Sequence, residues 1–230
     1  MNRKASKAII TLLVLALLLS PIAAFTSCRG SPARNIEDVS PHDWFYRYVV
    51  AGLRFGIIVN EGGRRFRLEP DEDITLGEFV TMLGRLHEYG HGTIGTPGDS
   101  PDYERYFEWA VERRIISTHS DWDGLMSCTV INREQKAVMV MGYILVYDLD
   151  NYFQSRYYGA ALGTFLDRDE MSPAGWAAAE MLRLRLIVSR KHGTLFSFRP
   201  HDPVSRADAL QILIRVGSAI YDLVHPLMMK

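Results

Sequence analysis

A chain of 230 residues, 47% hydrophobic and 23% charged, is long and apolar enough for one or two globular cores. Only 18 glycines and ten prolines exclude a collagenous or low-complexity chain. The formal charge of −1 is unevenly spread: residues 1–27 hold Arg3, Lys4 and Lys7 and no acid, leaving 23 basic and 27 acidic groups beyond them. That weakly acidic body argues against nucleic acid as the main partner. Of the 26 basic residues 21 are arginine, whose planar fork suits carboxylates and phosphates; a GC-rich genome would produce the same bias.

In chain order, the first element is an address. Met1–Lys7 is basic and Ala8–Leu19 is apolar, broken by Ser20-Pro21. The apolar run is too short to span a membrane and reads as an export signal over residues 1–27. Phe25-Thr26-Ser27-Cys28 resembles the lipobox of bacterial lipoproteins, with Phe25 in place of the usual Leu. This resemblance implies lipidation at Cys28; a plain signal cut near Ala23-Ala24 is the alternative. Residues 28–35 then read as a short flexible tether. The second cysteine, Cys128, is expected to be buried between Met126 and Val130. Two cysteines make neither a disulfide framework nor a zinc site, and a Cys28–Cys128 bridge requires that Cys28 is not acylated.

The body repeats three times. Pro70…Ile74-Thr75…Glu78 and Pro200…Val204-Ser205…Asp208 share a proline, a β-branched apolar residue, a hydroxyl and an acid at the same offsets, and Ile131-Asn132…Gln135 is a third copy. Thr75, Asn132 and Ser205 are helix N-caps, with an acid or amide three residues on, as in a capping box. Apolar residues with helical period follow each box, among them Leu83, Met141 and Leu213. Upstream of each lies another amphipathic segment, Trp44–Ile58, Tyr103–Ile116 and Pro173–Val188. Loops carrying apolar plugs (Phe66 and Leu68, Leu125, Phe196 and Phe198) join the two. The expected fold is all-α: three helix–loop–helix units at 36–90, 103–148 and 165–222. A linker at 91–102, an insertion at 149–164 and a tail at 223–230 complete the chain.

Asp38-Val39…Trp44…Gly56-Ile57-Ile58…Phe66…Pro70…Ile74-Thr75…Glu78-Phe79 resembles an S-layer homology (SLH) module, and Phe198-Arg199-Pro200…Val204-Ser205-Arg206-Ala207-Asp208 resembles that family's most diagnostic stretch. The resemblance extends over about residues 36–220 as three modules. It implies a pseudo-threefold unit with grooves between modules, and non-covalent attachment to a cell-wall polymer, often one bearing a pyruvate ketal. A pyruvate carboxylate suits an arginine at the first turn of a helix, where backbone donors and the helix dipole add to the fork. Arg206 fits that role, with Ser205 and Asp208 beside it, and Arg133 with Asn132 is placed the same way. Pairing of these arginines with local acids is the competing reading.

Several positions depart from the family pattern. Leu76 stands where the first module would have its arginine, so that groove is expected to lack an anion donor. Arg114 and Arg185 replace the glycine kept at Gly56; a left-handed turn disfavours arginine, so those two loops are expected to differ. Trp44 and Trp176 are candidates for sugar stacking, against the alternative that each is a core anchor closing its module.

His87-Glu88-Tyr89-Gly90-His91 matches the H-E-x-x-H zinc-protease pattern. Gly90 and Gly92 favour helix termination there, and no third-ligand extension follows. No phosphate-binding glycine loop and no G-x-S-x-G elbow is present. The sequence therefore reads as a non-catalytic, exported cell-envelope protein without cofactor or resident metal, lipid-anchored and binding a wall glycan or secondary polymer. An envelope protein–protein scaffold, and a zinc metalloprotease, are the readings from other classes.

Overall fold

The structure is a computed structural model, and it describes residues 36–59, 67–94, 102–116, 127–147, 165–184, 186–187, 190–192 and 195–221. The export signal, the tether with Cys28, the 149–164 insertion, the 223–230 tail and the plugs Phe66 and Leu125 lie outside these residues. Among the described residues the protein is mostly helical: α1 (Tyr46–Arg54), α2 (Leu76–His91), α3 (Asp102–Glu112), α4 (Arg133–Val146), α5 (Trp176–Arg183) and α6 (Arg206–Tyr221). None of these helices is long and apolar enough to cross a membrane. The third loop departs from all-α: β1 (Arg190–His192) and β2 (Leu195–Ser197) pair as an antiparallel hairpin, Lys191 opposite Phe196.

The local signals behave as their chemistry dictates. Thr75 Oγ1 accepts from Glu78 N while Glu78 Oε2 accepts from Thr75 N at 2.9 Å, a complete capping box. Asn132 and Gln135 form the second, at 2.8 and 2.9 Å. At the third start, Ser205 Oγ accepts from Asp208 N at 3.2 Å. The left-handed position after the first helix is kept in the first two repeats whatever the residue, and Arg185, its counterpart in the third, lies outside the described residues. Gly56 has φ 70° and Arg114 has φ 57°. Ile57 N then bonds Gly52 O at 2.9 Å, Ile115 N bonds Ala110 O at 2.8 Å, and Leu186 N bonds Met181 O at 2.8 Å, the long bond of a Schellman closure. The expectation that arginine changes the second loop is corrected: hydrogen bonding and burial of Ile115 and Ile116 outweigh the cost of a left-handed arginine.

The three helix starts are tied to one another by a closed ring of backbone hydrogen bonds. Ile74 N donates to Val204 O at 2.7 Å, Val204 N to Ile131 O at 3.1 Å, and Ile131 N to Ile74 O at 3.1 Å. Two residues further on, each helix spends its first two amides on the next loop. Leu76 and Gly77 donate to Thr129 and Ser127, Arg133 and Glu134 to Asp202 and Pro200, and Arg206 and Ala207 to Glu72 and Pro70. The orphan donors of the helix N-termini are thus satisfied across the repeats.

Helix pairing follows the same rotation. α1 packs against α6, α3 against α2 and α5 against α4, so each first helix lies on the capped helix of another repeat. The α2–α3 approach is close: a Cβ on Gly84 would come within 2.2 Å of the Tyr106 ring. The side chains of Ile74, Ile131, Val204, Leu83, Ile144 and Leu213 are fully buried in one apolar cluster.

Candidate functional site

The first cleft, of about 810 Å³, opens where α2, the 67–69 loop and the start of α6 meet. Its loop wall is held by Asp38, whose carboxylate accepts from Leu68 N at 2.9 Å and Glu69 N at 2.7 Å. Asp167 does the same in the third repeat, accepting from Phe198 N at 2.9 Å and Arg199 N at 2.6 Å. Burial works to raise the Asp167 carboxyl's pKa, but these two amides hold it below the usual range. Glu69 and Arg199, which follow, both take left-handed φ, 52° and 58°. Asp167 was not singled out in the sequence. The signal was there: Phe165-Leu166-Asp167 repeats Ile36-Glu37-Asp38, each about thirty residues ahead of its loop.

Arg206 lies at the mouth of this cleft, and both ends of its fork are engaged. Nη1 bonds Glu69 Oε2 and Nη2 bonds Glu78 Oε1, each at 2.7 Å. Burial opposes the charge, yet the two carboxylates outweigh it and raise the arginine's pKa. The Glu78 carboxyl is pushed up by burial and pulled below its ordinary range by Thr75 N and by Arg206. Sequence reasoning missed Glu69 as a partner, since nothing local links residues 69 and 206.

The arrangement departs from expectation in one further respect. Leu76 does not leave the first cleft without an arginine: its side chain is fully buried, and the helix-start arginine that lines this cleft, beside Arg67 and Arg85, comes from α6, because each helix start serves another repeat's loop. The helix starts offer no spare backbone donors either. Their first two amides bond to neighbouring carbonyls and the third to the cap side chain.

Advancing one step around the bond ring puts Arg199 in the place of Glu69, Asp208 in that of Glu78, Arg215 in that of Arg85 and Arg133 in that of Arg206. Arg133 is not paired as Arg206 is. Its Nε donates to Phe198 O at 2.7 Å and its guanidinium lies 5.3 Å over the Phe198 ring, and no carboxylate among the described residues reaches it within salt-bridge range. Arg199, replacing an acid, pairs with Asp202 at 2.5 Å.

Ser205 and Asn132 serve as caps, and Asp208 N caps on Ser205. Trp44 and Trp176 are 55% and 42% exposed, which corrects the core-anchor alternative; Trp44 meets Phe45 and Tyr48 edge-on. Neither tryptophan lines the first cleft. The aromatic ring there is Tyr103, beside Val59 and Arg85. Cys128, expected to be buried, is exposed on the cleft wall, in the turn whose Ser127 and Thr129 carbonyls accept from Gly77 N and Leu76 N of the neighbouring helix.

His87-Glu88-Tyr89-Gly90-His91 stays helical to His91, and Gly92 at φ 89° ends the helix. The two imidazoles stack at 4.5 Å between Trp109 and Tyr147. Glu88 is not free to act as a base: it accepts from Arg105 at 2.6 Å, Tyr106 at 2.7 Å and Ile94 N at 2.9 Å. Among the described residues no three His, Cys, Asp or Glu side chains converge as metal ligands. The pattern is an aromatic packing cluster and does not fit the protease reading.

Residues 35–80 match the family model of the S-layer homology domain. The match spans the first repeat from residue 35 to Val80 in α2, about a fifth of the chain, and domains of that family are cell-wall-binding modules of the cell surface. No curated protein matches the chain.

Proposed function

We propose that residues 103–148 and 165–222 are two further SLH modules, forming with 36–90 a pseudo-threefold unit that binds a cell-wall glycan or secondary polymer in its inter-repeat clefts. The observation that carries this reading is the closed hydrogen-bond ring through Ile74, Ile131 and Val204, which relates the other two helix starts to the one in the repeat that matches the family model. Arg206 and Arg133 are the candidate anion contacts, one in each cleft, and Trp44 and Trp176 are exposed faces on which sugar rings can stack. The protein is exported through residues 1–27, anchored by a lipid on Cys28 and non-catalytic, so that lipid and wall-binding unit together link membrane to wall.

Purified cell-wall sacculi, with and without their secondary polymer, test this reading. Co-sedimentation lost on removing the polymer is the expected result. Failure to bind intact sacculi would favour the scaffold reading. Mass spectrometry of the mature N-terminus is expected to show an acylated Cys28; an unmodified terminus upstream of it would overturn the lipid anchor.

A further inference from the structure

A second cavity lies at the other end of α2. His91 closes that helix, and Glu78, which meets Arg206, stands near its start; the rise between them is about 20 Å. The cavity, of about 510 Å³, opens between the end of α2, α3 and Tyr147. That is within the range of about 300–1,000 Å³ usual for small-ligand sites.

Part of its lining is aromatic. Trp109 is buried and Tyr147 half-buried, and Trp109 Nε1 donates to Tyr147 Oη at 3.0 Å, which fixes the two rings relative to each other. Their planes differ by 23°, and the exposed His91 ring stacks on Tyr147 with the same 23° between planes. The rest of the lining is charged. Arg105 is committed to Glu88 at 2.6 Å and to Ile94 O at 2.8 Å. Glu108, Glu112 and Arg113 are exposed, and among the described residues they make no hydrogen bond or ion pair, so their hydrogen-bonding capacity is open to a ligand.

A pyranose ring matches this mixture. Its C–H faces pack on aromatic rings, and its hydroxyls donate to carboxylates and accept from a guanidinium. Two open carboxylates against one open guanidinium disfavour an acid group on that ring. The first cleft has the opposite balance, three arginines against two glutamates.

We infer that this cavity is a second carbohydrate site, taking a neutral hexopyranose ring. Trp109, Tyr147 and His91 form its stacking surface, and Glu108, Glu112 and Arg113 bind its hydroxyls. The inference goes beyond the wall-polymer reading of the first cleft, with which the cavity shares no lining residue.

The test is NMR titration of the full chain with methyl α-glucoside, glucuronate and mannitol. The signals followed are the Trp109 indole N–H, assigned with Trp109→Phe, and the His91 ring protons. Methyl glucoside is expected to shift both and to bind at least about tenfold more tightly than glucuronate. Mannitol has hydroxyls but no ring to stack and is expected to shift neither. Replacing both acids at once, Glu108→Gln with Glu112→Gln, should bring glucuronate to within about threefold of methyl glucoside. Glu108→Ala with Glu112→Ala should weaken methyl glucoside at least about fivefold. Both pairs are at exposed positions, and an unchanged unfolding temperature confirms that the variants are folded. No shift with methyl glucoside, equal shifts with mannitol, glucuronate as tight as methyl glucoside in the natural chain, or undiminished binding by the folded alanine pair would each overturn the inference. Sacculus sedimentation is read separately, so a chain that sediments with sacculi but ignores methyl glucoside fails this inference alone.

Discussion

Arg206 Nη2 bonds Glu78 Oε1 at 2.7 Å across 128 residues of sequence, while the other oxygen of the same carboxylate closes the capping box with Thr75 N. One glutamate therefore fastens the start of its own helix to the start of another. This makes Arg206 a structural tie as well as a candidate ligand contact.

Arg206→Met should lower stability by about 1–2 kcal/mol, since it leaves Glu69 and Glu78 without their cation and the site is partly screened by solvent. The Glu78 carboxyl is held below its ordinary pKa, so its contribution is complete above the unfolded value and is lost as pH falls through the folded one. Denaturant titrations at neutral and acid pH should show the difference between natural and variant chains shrinking in acid. A constant difference would mean that the tie carries no net charge energy.

The left-handed residue at 114 gives a pair of opposed substitutions. Arg114→Gly removes the penalty of φ 57° and should stabilise the protein by about 0.5–1 kcal/mol. Gly56→Ala, at φ 70° with open space around the added methyl, should cost about 1 kcal/mol from conformation alone. Chemical unfolding of both variants checks the signs.

The His87 imidazole is pushed down to about 4 by burial, with the charges of His91 and Arg113 adding to it. Its folded pKa is below its unfolded value, so the unfolded chain binds more protons and stability is lost as pH falls from about 6.5 to about 4. The loss is on the order of 2 kcal/mol. His87→Phe should keep the aromatic packing against Trp109 and Tyr147 and flatten that part of the profile. An unchanged pH dependence in the variant would show that another group is responsible.

Truncation after Gly163 removes α5, α6 and two of the three ring bonds, and it strips α1 and α4 of their packing partners. The remaining fragment should lose cooperative unfolding. A single sharp transition at the temperature of the whole chain would show that the repeats are independent.

The sequence by itself determined where the helices begin. Capping boxes at Thr75 and Asn132, the serine cap at Ser205 and the apolar period behind each are contacts within a few residues, so they are written locally. The S-layer homology match at residues 35–80 rests on the same short-range pattern. Tertiary structure alone decided which helices pair and which repeat each arginine serves. The helices join across repeats, so Arg133 and Arg206 meet the loops of other repeats than their own. It also decided the charge of the first cleft, because Arg206 meets Glu69 and Glu78 only when segments distant in the chain close into a ring. Local spacing cannot encode such meetings: the hydrogen bonds that set them join amides and carbonyls 50 residues or more apart.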